Sequence, residues 1–213
     1  MKVLSLRRLS CIIGRGAFGL NTSKTILNDE LSIPAIKLSA FYEKDHSKVD
    51  LEKSDEDFKE MCNWPKFHNG VAIGLEISRE MTASLDNETI RTWIKYQKIE
   101  LTTKPKEYEN PGLIFGFGLQ GMLDSLLATD VYTYLKQCKE IMSIAVLLGL
   151  AASRIGTKEE KALKALRVHI HCLLPKDNNE LKIDQMVESG SLFSIGLLFA
   201  ESNNQIHSDM MLG

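Results

Sequence analysis

Four segments of this chain are apolar on nearly every side, and each contains a Gly-Leu pair. They are HNGVAIGLEIS (68–78), PGLIFGFGLQG (111–121), SIAVLLGLAAS (143–153) and SGSLFSIGLLFAES (189–202). A helix that is apolar all round has to be buried all round. The pairs recur irregularly at roughly 40 residues, which is typical of a repeat protein. The pattern therefore predicts four buried helices, one in each repeat unit.

Glycines inside these predicted helices need an explanation, because glycine costs about 1 kcal/mol relative to alanine in a helix interior. Close approach of neighbouring helices supplies one, since a residue without a side chain lets two backbones meet. Gly70 and Gly74 are four residues apart and so lie on one helix face. We predict helix-packing roles for these two glycines and for Gly118, Gly149 and Gly196.

More amphipathic segments separate the buried ones. Residues 130–138 predict a short outer helix, and Thr157 with Glu160 fits a capping box at the start of another. Gly156 is placed to end the preceding helix, and Pro175 to end the new one. One face of that helix carries Leu163, Leu166, Ile170 and Leu173. A buried helix followed by an amphipathic one is a unit from which an α-solenoid is stacked, so the predicted class is mainly α.

The first 61 residues follow a different pattern, in which short apolar stretches alternate with turn residues. Residues 43–60 contain eight acidic residues and four lysines, which indicates a solvated loop. We therefore predict a pre-repeat segment at 1–61, with short extended pieces and this acidic loop. Helical repeats are predicted at 62–213, as about four units of which the last is truncated.

Composition limits the classes of partner. The formal net charge of −2 provides no field that would attract nucleic acid. The longest apolar run, 141–152, is shorter than the roughly 18–20 residues that span a bilayer, so we expect no membrane partner. The four cysteines are far apart and form no C-x-x-C motif, which suits a reducing compartment. The basic, acid-free residues 1–28 fit a mitochondrial presequence, or more simply a basic strand or helix.

A glycine-rich motif near the start raises the possibility of nucleotide binding. Residues 14–19 fit G-x-G-x-x-G, and Lys37 lies 23 residues beyond Gly14, as a kinase lysine could. Phosphoryl transfer also needs a catalytic-loop aspartate and a metal-binding aspartate. The sequence has no H-R-D, D-F-G or A-P-E motif. A glycine-rich turn is therefore favoured, and a nucleotide-binding kinase fragment is kept as an unfavoured alternative.

The run His169-Ile170-His171-Cys172 contains residue types that bind metals. On a helix, positions two apart point about 200° apart, so the two histidines could not share one ion. No serine–histidine–aspartate set or carboxylate pair lies on the glycine-bearing helices. We therefore expect no catalytic residue, metal or cofactor, and we expect Trp64 and Trp93 to be packing anchors.

Long stretches resemble a known family. WPKFHNGVAIGLEIS, NPGLIFGFGLQGMLDSLLATDVYTYL, KEIMSIAVLLGLAASRIGT and VHIHCLLP are similar, in this order, to proteins with proteasome/cyclosome repeats. Within that class they resemble the scaffold-subunit family of the anaphase-promoting complex. GRGAFGL is similar to a segment that precedes the repeats in that family, which accounts for the glycine-rich motif.

This resemblance implies an α-solenoid that forms part of a toroid and has no catalytic role. It implies a hetero-oligomer with other subunits of the anaphase-promoting complex, namely the tetratricopeptide-repeat arms, the cullin/RING module and the DOC-domain subunit, and with the co-activator. The expected location is nucleus and cytoplasm. A scaffold subunit of the proteasome regulatory particle is the alternative, because it shares the repeat.

Overall fold

A computed structural model describes residues 31–34, 39–42, 47–50, 60–77, 79–97, 106–136, 139–174 and 182–201, and the isolated positions 8 and 12. These residues form two strands, β1 Ser39–Tyr42 and β2 Ser47–Asp50. They also form eight α-helices: α1 Asn63–Leu75, α2 Arg79–Thr82, α3 Asn87–Tyr96, α4 Glu109–Leu119, α5 Ala128–Leu135, α6 Glu140–Ser153, α7 Glu160–Arg167 and α8 Gln185–Leu198. Short 3-10 helices span Met122–Ser125 and His171–Leu173.

The four predicted buried helices are α1, α4, α6 and α8, and we call them the inner row. Each packs against the next in chain order, α1 on α4, α4 on α6 and α6 on α8. The mainly α class predicted from the sequence is confirmed. The row is compatible with a solenoid, in which each unit contacts its neighbours.

The outer helices α3, α5 and α7 form a continuous hydrophobic core with the inner row. Ile94 of α3, Phe117 of α4, Leu147 of α6, Leu166 of α7 and Leu198 of α8 are all fully buried in this one cluster. The indole of Trp93 lies 5.4 Å from the ring of Phe117, between centroids. Each outer helix is thus fixed by side chains that it buries against the row.

A two-stranded antiparallel hairpin lies before the helices, with Ser39 opposite Asp50 and Tyr42 opposite Ser47. The prediction of a solvated loop over the whole of 43–60 is therefore wrong, since β2 lies inside it. The high charge of that segment hid a short strand, because backbone pairing with β1 does not depend on apolar side chains.

The pre-repeat segment is tied to the helices at Leu31–Pro34. The backbone N–H of Leu31 donates to Gln97 Oε1 at 2.7 Å, just beyond α3. The side chain of Asn69 in α1 donates to the carbonyl of Pro34 at 2.6 Å. The boundary at residue 61 remains a prediction, and these bonds show that residues on its two sides are in direct contact.

The entry to α7 differs from the predicted capping box. Thr157 Oγ1 donates to the carbonyl of Arg154 at 2.8 Å, and the residue before the helix is Glu159. The loop is held elsewhere, because the N–H groups of Gly156 and Lys158 donate to the carbonyls at the end of α8. Gly156 adopts a left-handed φ of +71° in this loop, but α6 already ends at Ser153 with Arg154 as its C-cap, so Gly156 shapes the loop and does not end the helix.

The end of α7 was also predicted too late. The α-helix stops at Arg167, and the backbone continues through the 3-10 helix His171–Leu173. Ile170 is nonetheless 1% exposed and lies in the core. The apolar spacing was thus correct as a guide to burial, although the helix does not extend to Pro175, which lies outside the described residues. Among the described helices, none is long and apolar enough to cross a membrane.

Candidate scaffold site

The crossing of α1 and α4 is made by four glycines, two on each helix. A Cβ atom added at Gly70 would overlap the carbonyl of Glu109 and lie 2.9 Å from the backbone N of Leu113. Cβ atoms added at Gly74 or Gly116 would each lie 2.9 Å from the other residue's Cα. A Cβ atom added at Gly112 would likewise overlap the carbonyl of Phe67. The two backbones therefore meet at a distance that only glycine permits.

Gly112 and Gly116 were missed because the sequence reasoning took one Gly-Leu pair from each segment, here Gly118-Leu119, although Gly112-Leu113 is a second such pair. Their signal was present as the same four-residue spacing that singled out Gly70 and Gly74. The repeat of this spacing on two neighbouring buried helices predicts that each glycine pair faces the other.

The crossing of α4 and α6 uses the other face of α4 and is asymmetric. A Cβ at Gly118 would clash with Gly149, with its carbonyl oxygen at 2.6 Å and carbonyl carbon at 2.7 Å. A Cβ at Gly149 would instead meet Leu123 Cδ1 at 2.9 Å and the Cα of Gly118 at 3.5 Å. Because Leu123 Cδ1 is the end of a flexible side chain, Gly118 is the more constrained of the two positions.

The crossing of α6 and α8 has no such backbone contact, and Gly196 does not serve it. Within the described part of the chain, no heavy atom lies within 4 Å of a Cβ added at Gly196. The helix-packing role predicted for Gly196 therefore has no contact to support it. Ser191 and Ser194 are buried instead, and their hydroxyls donate to carbonyls one turn back, Val187 O and Gly190 O. The glycine of α8 that faces α6 is Gly190, where an added Cβ would lie 3.5 Å from Ile144 Cγ2, an ordinary van der Waals distance.

Polar groups bond the helix ends of neighbouring units to each other. Gln120 Nε2 donates to the carbonyl of Leu75 at 3.1 Å, at the end of α1. Ser153 Oγ lies 2.9 Å from Gly118 O and 3.0 Å from Gly149 O, so it bridges α4 and α6 at their closest approach. The carbonyls of Leu75 and Gly118 lie in the last turns of α1 and α4, where helix carbonyls are open to partners outside the helix. These bonds also fix the axial register of one inner helix on the next.

An ion pair joins the outer helices of neighbouring units. Arg91 of α3 donates from Nε to Asp130 Oδ2 at 2.6 Å and from Nη2 to Oδ1 at 3.3 Å. Asp130 also accepts the backbone N–H of Leu127 and so caps its own helix, α5. The hydrogen bond from Arg91 lowers the pKa of the Asp130 carboxyl, and burial opposes this shift. Asp130 therefore couples the start of α5 to α3.

The histidines considered as metal ligands have separate partners. His169 Nδ1 lies 2.9 Å from the carbonyl of Ala165, whereas His171 Nδ1 lies 3.1 Å from Glu188 Oε2. The backbone N–H of His171 also donates to Glu188, which lowers the pKa of that carboxyl and ties the 3-10 helix to α8. Over the described residues, no group of three or more potential metal ligands was found.

The two tryptophans differ. Trp93 is 4% exposed and lies in the core, as a packing anchor should, but Trp64 is 45% exposed. The anchor role is therefore wrong for Trp64, which touches Phe67 edge-on and leaves much of its indole in solvent.

The glycine-rich motif at 14–19 and Lys37 lie outside the described residues.

Comparisons with known proteins cover the whole length of the chain. The family model described as APC1 fourth domain matches residues 1–155, and the one described as APC1 fifth domain matches residues 160–213. The break between them falls in the loop from α6 to α7.

Curated relatives carry matching names. Anaphase-promoting complex subunit 1 of Dictyostelium discoideum is 32% identical, over 99% of this chain and 9% of its own length. The protein of the same name in Arabidopsis thaliana is 32% identical, over 100% of this chain and 12% of its own length. The negative regulator of mitosis of Emericella nidulans is 30% identical, over 100% of this chain and 10% of its own length. The chain thus spans about a tenth of these relatives. Since the first family model alone matches most of its residues, the chain belongs to the family of anaphase-promoting complex subunit 1.

Proposed function

We propose that this chain is a non-catalytic scaffold segment of the anaphase-promoting complex, a cullin-RING ubiquitin ligase that drives mitotic progression. The observation that carries this proposal is similarity over nearly the whole chain to relatives whose names place them in that complex. The name of the Emericella relative adds a connection to mitosis. The proteasome alternative is not favoured, because both family models and these relatives belong to the other complex.

The packing supports a scaffold role on physical grounds. At Gly70, Gly74 and Gly118 the backbones of α1, α4 and α6 approach so closely that a Cβ atom would clash. Close-packed interiors of this kind have low compressibility and transmit displacement. The part of the inner row from α1 to α6 can therefore hold bound partners at a fixed separation.

We extend the proposal to the partners that the family resemblance implies. These are the tetratricopeptide-repeat arms, the cullin/RING module, the DOC-domain subunit and the co-activator, in the nucleus and cytoplasm. Membership of the complex is supported by the names of the relatives. Each separate partner and the location are supported by the family resemblance alone.

Affinity purification of the complete gene product, followed by mass spectrometry, tests this function. We expect several other subunits of the anaphase-promoting complex to co-purify with it in fixed proportion. Recovery of proteasome regulatory-particle subunits would favour the alternative, and recovery of the protein by itself would contradict a scaffold role.

A further inference from the structure

A groove with a volume of about 610 Å³ opens beside the outer helices, where α3 and α5 begin, α6 ends and α7 begins. Its apolar lining includes Leu126, Val131, Leu150, Ala162 and Ala165, all less than 9% exposed. The volume is within the roughly 300–1,000 Å³ that is usual for ligand sites. The groove is therefore large enough to accept side chains of a partner.

Two large apolar side chains stand exposed at this groove. Leu127, immediately before α5, is 53% exposed, and Tyr132 of α5 is 54% exposed. Both line the groove beside its buried apolar residues. An exposed leucine and tyrosine next to an apolar depression form the kind of surface that proteins use to bind one another, and tyrosine is enriched at such interfaces.

The charge that the groove presents to solvent is mainly negative. The Arg154 side chain is only 11% exposed, and its Nε lies 2.9 Å from Asp124 Oδ1 and 2.5 Å from Glu159 Oε2. Those carboxylates are more accessible, with side chains 59% and 35% exposed. The cation is thus turned inward between two carboxylates.

The same arrangement recurs on the α3 side of the groove. Glu88 is 71% exposed, while its partner Arg91 is 18% exposed and also paired with Asp130. Lys161 is the exposed cation among the residues that line the groove. The exposed carboxylates of Glu88 and Asp124 and the half-buried one of Glu159 outnumber it, and charge complementarity at interfaces favours a basic partner.

We propose that this groove binds a segment of a partner protein in which a large apolar side chain lies next to an arginine or lysine. The apolar side chain would lie on the buried lining beside Leu127 and Tyr132. The cation would form a charge-assisted hydrogen bond with the exposed carboxylate of Asp124. An anionic ligand is disfavoured, because Arg154 is already neutralised by two carboxylates. The proposal rests on the proposed scaffold function, for which it specifies one type of partner.

Selection from a displayed library of random dodecapeptides on the full 213-residue chain tests this proposal. We expect enriched peptides to share a leucine, isoleucine or aromatic residue beside arginine or lysine. Their affinities are then measured by fluorescence anisotropy on three variants of the chain. An acidic consensus, or no consensus, would overturn the proposal.

The variants separate the groove from other exposed surfaces. Leu127→Ser removes the apolar side chain and places a favourable residue before a helix, so the fold should be retained. We expect it to weaken binding about fivefold or more, and Asp124→Asn to weaken it by a few-fold. Phe193→Ser removes an apolar side chain on α8 that is 66% exposed and does not line the groove, and it should bind like the parent.

Equal binding by Leu127→Ser and the parent chain would refute the groove as the site. If size-exclusion chromatography showed a dimer that Leu127→Ser dissociates, the occupant would be a second copy of this chain and the proposal would be wrong. Neither result affects purification with other subunits of the complex. Failure of this inference is therefore distinguishable from failure of the scaffold function.

Discussion

Gly118→Ala tests the backbone contact between α4 and α6 with the smallest possible side chain. The added Cβ would lie 2.6 Å from the carbonyl oxygen of Gly149 and 2.7 Å from its carbonyl carbon. Ordinary van der Waals contact for such an atom begins near 3.4 Å, so the second contact would have to lengthen by about 0.7 Å. The obstacle is backbone in the middle of a helix, and only movement of α4 relative to α6 can relieve it.

Two opposing effects set the size of the change. Overpacking of a tight core costs roughly 1–3 kcal/mol. Replacing a helical glycine with alanine returns up to about 1 kcal/mol through helix propensity. Because the added Cβ overlaps backbone atoms, the upper part of the first range applies, about 2–3 kcal/mol, and the free energy of unfolding of Gly118→Ala should therefore fall by roughly 1–2 kcal/mol. In a chain of this size, each kcal/mol lowers Tm by about 2–4 °C.

Thermal melting of the 213-residue chain, followed by far-ultraviolet circular dichroism, measures this change. Gly196→Ala is the matched control, because its Cβ meets no described atom within 4 Å, so it should keep or raise Tm. The Tm of Gly149→Ala should lie between those of Gly118→Ala and Gly196→Ala, because the side chain of Leu123 can move aside. If Gly118→Ala melted at or above the temperature of Gly196→Ala, the close contact would be refuted.

Three further predictions use the same melting assay. Trp93→Ala should lower the free energy of unfolding by about 3–5 kcal/mol, and Trp64→Ala should lower it far less, because only the indole of Trp93 is buried. Equal losses of stability in the two variants would contradict this. Asp130→Asn should lower Tm at pH 7, because Arg91 loses the more buried of its two charged acceptors. The folded-state pKa of Asp130 is depressed, so its contribution is lost as pH falls through that pKa, and the gap between variant and parent should close in acid. Glu109→Gln should raise Tm at neutral pH, because burial raises the pKa of this carboxyl and penalises its charged form. Protonation of Glu109 relieves that penalty, so the Tm difference between Glu109→Gln and the parent should shrink as pH falls through the raised pKa. A Tm difference that did not change with pH would contradict this prediction.

The sequence predicted the inner row well because the signal for it is local. A segment such as 143–153 has no polar face, so burial on all sides follows from the segment alone. The glycines at 70, 74 and 118 were found by the same reasoning, from the cost of glycine in a helix. Gly196 shows its limit, since the pattern cannot tell which face of α8 meets a neighbour.

Features that depend on distant residues could not be predicted. The loop before α7 is set by hydrogen bonds to the end of α8, which compete with the local capping box at Thr157. The Arg91–Asp130 pair joins residues 39 apart in the sequence. The groove likewise depends on α3, α5, α6 and α7 together. Each is a product of how the units stack, and no single segment carries a signal for it.

The central claim is that the backbone contacts among α1, α4 and α6 support assembly of the complex. The most direct test purifies the tagged complete gene product with Gly118→Leu, beside Gly196→Leu as control, and quantifies the other subunits by mass spectrometry. The account predicts that Gly196→Leu recovers the same subunits as the parent, and that Gly118→Leu loses most of them. Full recovery with Gly118→Leu would contradict the claim.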